Sequence, residues 1–170
     1  MKIINKSIIC KLILYLLTVS AILLIIIKIT NEDFEKKYSK NSKQLLTLCE
    51  YLDCDEFQKY NIIRIDIFDS QVKMECSQKN NLSGGYINTV YTIKDKKIVE
   101  CLNILSKQRF IRILKENDYI FFQTKGTFNR SEGLIYSPLG EPDLSNNNSI
   151  YSFVEKLKVK HWYYCKEKYD

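Results

Sequence analysis

Between Leu12 and Ile27, sixteen residues pass without a charge, and Lys11 and Lys28 bracket them. With the flank Ile8-Ile9-Cys10 and Ile29 the apolar stretch reaches 22 residues. A bilayer-spanning helix needs roughly 20, and the bracketing lysines can reach the headgroups along their own hydrocarbon stems. Ile and Leu surround such a helix on every side, whereas a surface helix of a soluble domain would carry a single apolar stripe. The segment 1–30 is therefore expected to be a single transmembrane signal-anchor. Val19-Ser20-Ala21 has the small residues of a cleavage site, but Ile22 to Ile27 follow it, and cleavage there would leave a greasy new N-terminus. Cys10 precedes the apolar core, so lipoprotein processing, which needs a cysteine just after it, is not expected.

After the apolar run the pattern changes period. Asn31-Glu32-Asp33 reads as a helix start, with Asn31 as cap and acids in the first turn. Phe34, Tyr38, Leu45, Leu48, Cys49 and Leu52 recur at helical spacing, with a break possible at Asn41-Ser42. This predicts a helical stalk over 31–59. From residue 60 the period falls to two. Ile63, Ile65 and Ile67 alternate with Arg64, Asp66 and Phe68, and Val72, Met74 and Cys76 alternate with Lys73, Glu75 and Ser77. That is a hairpin about Asp69-Ser70 with one face inward. Tyr86 to Tyr91 is strand-like, and Lys94 to Lys107 carries Ile98, Cys101, Leu102 and Leu105 on one helical stripe. Arg109–Leu114 and Tyr119–Lys125 predict a second hairpin, and Gly133–Ser137 a further strand. Ile150–Leu157 reads as a short helix. Lys158–Lys166 alternates again, with Val159, His161, Tyr163 and Cys165 on one face and Lys160, Trp162 and Tyr164 on the other. Hairpins with few helices imply an α+β domain over 60–170, built on a curved antiparallel sheet of about five to seven strands with one or two helices.

Charge and composition narrow the classes. Residues 30–170 hold 22 Lys and Arg against 20 Asp and Glu, a net of +2, so most of the total excess of +6 belongs to the N-terminal segment. No basic stripe marks the domain as a nucleic-acid binder. The chain has 23 Ile, 22 Lys and 13 Asn but 4 Arg and a single Ala, a bias that an AT-rich bacterial genome explains without any functional cause. Lysines flank both ends of the apolar run, so the positive-inside rule does not decide orientation. The short basic tail of Lys2, Lys6 and Lys11 is the usual signal-anchor arrangement and favours a domain on the outer side.

Candidate chemistry is sparse. His161 and Cys165 suggest a Cys-His nucleophile, but on one strand they stand ~13 Å apart, beyond hydrogen-bond reach. Asp66, Asp69, Glu75 and the Asp53–Glu56 run offer carboxylates, and turn or surface acids account for them. No CxxC occurs and His161 is the only histidine, so no zinc site is expected. Cys76, Cys101 and Cys165 read as small core residues. Gly84-Gly85 lacks the lysine-serine pair of a phosphate loop. No catalytic residue, metal or cofactor is assigned. The one candidate interaction face is Lys160, Trp162 and Tyr164, aromatics beside a base being favoured at protein or sugar contacts.

The run Glu132-Gly133-Leu134-Ile135-Tyr136-Ser137-Pro138-Leu139-Gly140-Glu141-Pro142, followed by His161-Trp162-Tyr163-Tyr164, resembles uncharacterised small membrane-anchored or lipoprotein-type domains of low-GC Gram-positive bacteria. The resemblance spans about residues 109–168, and Cys165 and the lack of a lipoprotein cysteine after the apolar core depart from the lipoprotein-type members. It implies a cell-surface location. The functional expectation is a non-enzymatic, membrane-tethered interaction domain whose partners are the bilayer and another protein or cell-surface component, with no nucleic acid. A cytoplasm-facing immunity or regulatory protein of a membrane complex is the alternative, and a small hydrolase a third.

Overall fold

The computed structural model describes residues 6–67, 72–80, 84–116, 118–127, 130–142 and 150–168, with side chains described except at 6–13, 23–33, 125–127, 130, 150–153 and 167–168. The chain divides into two units, Met1–Lys37 and Tyr38–Asp170. Helix α1 runs from Lys6 to Leu52 without the expected break. In the first unit Leu14, Tyr15, Leu16, Leu17 and Ile22 are each more than half exposed. Among the described residues no helix is long and apolar enough to cross a membrane. The side chains of 23–33, which carry the second half of the apolar run, lie outside that description.

The second unit is α+β. Its strands are β1 (Ile62–Asp66), β2 (Lys73–Lys79), β3 (Tyr86–Thr92), β4 (Arg112–Glu116), β5 (Tyr119–Thr127), β6 (Arg130–Tyr136), β7 (Ile150–Lys156) and β8 (Trp162–Lys168), with α2 (Lys96–Lys107) between β3 and β4. All eight form one antiparallel sheet in the order β3-β2-β1-β4-β5-β6-β8-β7. The sheet is thus one strand larger than the sequence predicts. Register puts Ile63, Ile65, Met74, Cys76, Ile113, Phe122, Leu134 and Trp162 on one face, and all are buried. The alternation read for the first hairpin therefore gives the correct inward face, including Ile67 and Val72.

Part of α1 packs on that face. The Tyr38 ring lies 4.9 Å from Trp162, and Leu45, Leu48 and Leu52 are fully buried. This corrects the expected stalk. From Tyr38 onward the helix belongs to the folded domain, because its apolar stripe closes the core. Lys115, on the same face, donates Nζ–H to the Leu52 carbonyl at 2.7 Å and pairs with Asp53 at 3.2 Å. A cation at this end of a helix satisfies an orphan carbonyl and opposes the negative end of the dipole. Helix α2 starts at Asp95, whose carboxylate accepts from the Lys97 and Ile98 amides. It buries Ile98, Cys101, Leu102 and Leu105, and ends with Arg109 at φ 66 while Phe110 N–H reaches back to the Leu105 carbonyl.

The opposite face of the sheet is not uniformly polar. Tyr119, Phe121, Ile135, Tyr163 and Cys165 form a second buried cluster there, with Leu114 and Val154 against it. Gly133 lies beneath this region. A Cβ at Gly133 would press into the Phe122 carbonyl and stand 2.8 Å from Phe121 Cε2. The β5–β6 register shifts between Gln123 and Lys125, next to that glycine, as expected of a bulge beside a close backbone approach.

The helix expected over Ile150–Leu157 is instead β7, paired with β8. Apolar residues at 150, 153, 154 and 157 mimic a helical period because the register shifts between Tyr151 and Phe153, displacing the two-residue alternation. The Asp69-Ser70 turn and the Asn146–Asn148 loop lie outside the described residues.

Candidate functional site

The predicted interaction face does not exist as a surface. Trp162 is 1% exposed and Tyr164 3%, whereas Lys160 is exposed and sits in the turn before β8. Trp162 packs among Tyr38, Phe122 and Tyr136. Tyr164 donates its hydroxyl to Glu132 at 3.2 Å; burial first, and then this carboxylate, push its phenol up from the ordinary value. Both aromatics are core. The alternation holds, but β8 is buried on both faces from Trp162 to Cys165, so neither face is free there.

The other sequence candidates also separate. His161 lies in the turn at φ 69, its ring 6.4 Å from Tyr136, and Cys165 is fully buried in the second cluster. The two do not form a nucleophile pair. Asp66 is gripped by Arg64 at 2.7 Å and Arg112 at 2.6 Å. Burial pushes its carboxyl up, but the hydrogen bonds and charges of the two arginines outweigh that and hold it below the ordinary value. A carboxylate so held suits structure better than proton transfer. Cys49, Cys54, Cys76 and Cys101 are free thiols, all but Cys54 buried, and Cys165 is buried as well. Burial pushes Cys49 up, and Cys76 up to about 11. Among the described residues no group of three His, Cys, Asp or Glu could hold a metal ion.

Among the described residues two runs of exposed apolar side chains stand out, and neither is explained by the core. The first is α1 at residues 14–17. Four consecutive residues cover about 300° of a helix circumference, and here all four are apolar or aromatic and exposed. The second is β3. It ends the strand order, so among the described residues its outer edge has no neighbouring strand. Every residue from Tyr86 to Val90 is exposed, with Tyr86 at 54%, Ile87 at 56% and Val90 at 61%. Its seven residues pair with β2 without a register shift. The strand has no charge and no proline, so it lacks the devices that blunt sheet edges. Tyr91 is anchored. Its ring packs edge-on to Phe57 and Tyr60, and its hydroxyl shares a short hydrogen bond with that of Tyr60. The sequence marks β3 as a strand but not as an edge, since strand order is not written in local alternation.

No family model matches the sequence, and neither a curated protein nor a solved structure matches it.

Proposed function

We propose that this chain is a single-pass, membrane-tethered, non-enzymatic interaction protein whose domain lies on the outer side of the membrane, as the resemblance to small membrane-anchored bacterial domains implies. The observation that carries the reading is the exposure of Leu14, Tyr15, Leu16 and Leu17 around most of the circumference of α1, within a charge-free run of sixteen residues. Water does not favour such a surface, and lipid does.

Magnitudes give the test. Leu12–Ile27 holds twelve Leu, Ile and Val, and at about −0.3 to −0.6 kcal/mol each on an insertion scale they favour the bilayer by roughly 4–7 kcal/mol. Two central lysines at about +2.5 to +3.5 kcal/mol each cancel this. The full chain is expected to float with liposomes, and the double variant Leu17→Lys, Ile22→Lys to remain in the aqueous fraction while its domain keeps the parent's sheet signal. Equal flotation of the two proteins would sink the reading.

A second reading places the domain in the cytoplasm as an immunity or regulatory protein of a membrane complex. The thiols of Cys49, Cys54, Cys76 and Cys101 favour it, because a reducing compartment keeps cysteines out of disulfides. Leu139 is exposed at 81% in a turn, so Leu139→Cys in a Cys54→Ser background gives an accessible reporter. Labelling by a membrane-impermeant thiol reagent on intact cells supports the outer location. Labelling only after lysis establishes the cytoplasmic one.

A further inference from the structure

We infer that the partner of the β3 edge is a second copy of this chain, added antiparallel through β3 so that two eight-stranded sheets join across a twofold axis. The inference deepens the proposed function by naming the partner, and rests on it only in that a shared membrane raises the local concentration of copies.

The register of β3 favours a second copy. A twofold axis perpendicular to a continuous sheet must relate a residue to itself, because paired residues share a face. Centred on Thr89, the pairing sets Ile87 opposite the second copy's Tyr91, and Val90 opposite its Asn88. Val90 then lies diagonal to the second copy's Val90 and Tyr86. Each exposed apolar side chain of β3 thus gains an apolar neighbour within the reach of cross-strand pairs. Tyr91, already fixed by Tyr60 and Phe57, offers Ile87 a rigid ring. Charge agrees. The strand itself is uncharged, and the first charged residue beyond it, Lys94, falls opposite Gly84 rather than another lysine. A strand with lysines or acids along its edge would demand a partner of opposite sign, whereas this one is complementary to itself.

The experiment uses the full chain in mild detergent, with Cys10 and Cys54 replaced by Ser and Cys76, which pairs with Thr89 within the chain, replaced by Ala, so that none of these native thiols competes for the new one. Thr89→Cys places the two new thiols on directly opposed residues, within disulfide reach. Gln78→Cys, exposed on β2, places them three strand spacings apart and four residues out of step, about 20 Å, which no disulfide spans. Mild oxidation is expected to give a cross-linked dimer with Thr89→Cys in roughly tenfold higher yield than with Gln78→Cys. Light scattering should give a dimer mass for the parent and a monomer mass for Val90→Lys, whose melting temperature should match the parent's because Val90 is exposed. Ile87→Lys repeats the test from the other face. A parent that is monomeric at every concentration overturns the inference. So does a dimer that survives Val90→Lys, which would place association elsewhere, on α1 for instance. Equal cross-linking at the two positions overturns it too, as does a monomer that captures a different protein through β3. Flotation with liposomes is read in parallel. Loss of flotation with the Thr89 cross-link intact would remove the tether and leave the dimer.

Discussion

Lys115 offers the sharpest test of how the domain holds α1. Its side chain is 11% exposed while that of its ionic partner Asp53 is 75% exposed. The two contacts of the ammonium are therefore unequal. The pair with Asp53 sits largely in water, where such pairs contribute about 0–1 kcal/mol. The hydrogen bond to the Leu52 carbonyl is buried. Charge-assisted bonds of that kind contribute ~1.5–3 kcal/mol, and leaving the acceptor unpaired costs a similar amount. Lys115→Met keeps most of the stem and removes the ammonium. It loses the bond and the favourable dipole term of about 0.3–1 kcal/mol, while regaining part of the cost of burying a charge. The net expectation is a destabilisation of about 2 kcal/mol, or roughly 8 °C in melting temperature for a domain of this size. Asp53→Asn should cost less than about 0.5 kcal/mol. Denaturant titration followed by circular dichroism reads both variants. If Asp53→Asn costs as much as Lys115→Met, the ion pair and not the helix-end carbonyl is the important contact. If Lys115→Met melts like the parent, the capping argument is wrong.

Three further outcomes follow from the same structure. Gly133→Ala should destabilise by at least about 2 kcal/mol, because the new methyl meets the Phe122 backbone, which cannot yield as a flexible side chain would; a parent-like unfolding curve would place β5 and β6 farther apart than described. The Asp66 carboxyl is held below its ordinary 3.8, so its stabilising contribution is present above that pH and is lost as pH falls through the lower folded value; the stability gap between parent and Asp66→Asn should be constant from pH 7 to about 5 and shrink below about 4, and a gap that stays constant to pH 2 refutes this. Among the five thiols of the domain, Cys54 should react first with a thiol reagent at neutral pH, whereas Cys49, Cys76, Cys101 and Cys165 should react only on unfolding, since burial suppresses access to all four and thiolate formation at Cys49, Cys76 and Cys101; mass spectrometry of the labelled native protein checks the order.

How much of this the sequence discloses depends on whether a residue's role is local. Ile63, Ile65, Met74 and Cys76 announce their inward face by simple alternation, because β1 and β2 have one buried side and an uninterrupted register. Asp95 and the stripe from Ile98 to Leu105 likewise announce α2. Failures come where burial is decided by distant partners. Trp162 and Tyr164 alternate with Tyr163 and Cys165 as a one-sided strand would, yet a second cluster covers the reverse face. Ile150–Leu157 reads as helix because a register shift breaks its period. The stalk is misassigned beyond Tyr38 because a helical stripe looks the same whether it faces a partner helix or a sheet. Nothing near Tyr86 or Val90 reveals that β3 is an edge, which follows only from the order of all eight strands.

The central claim is that the charge-free run of α1 holds the intact chain in a bilayer. The most direct measurement is the intact mass of the full chain recovered from membranes after an alkaline wash that strips peripheral proteins. The account predicts a single species in the membrane pellet that retains residues 8–29. A chain found entirely in the wash, or one whose mass begins near Ile22, would contradict it.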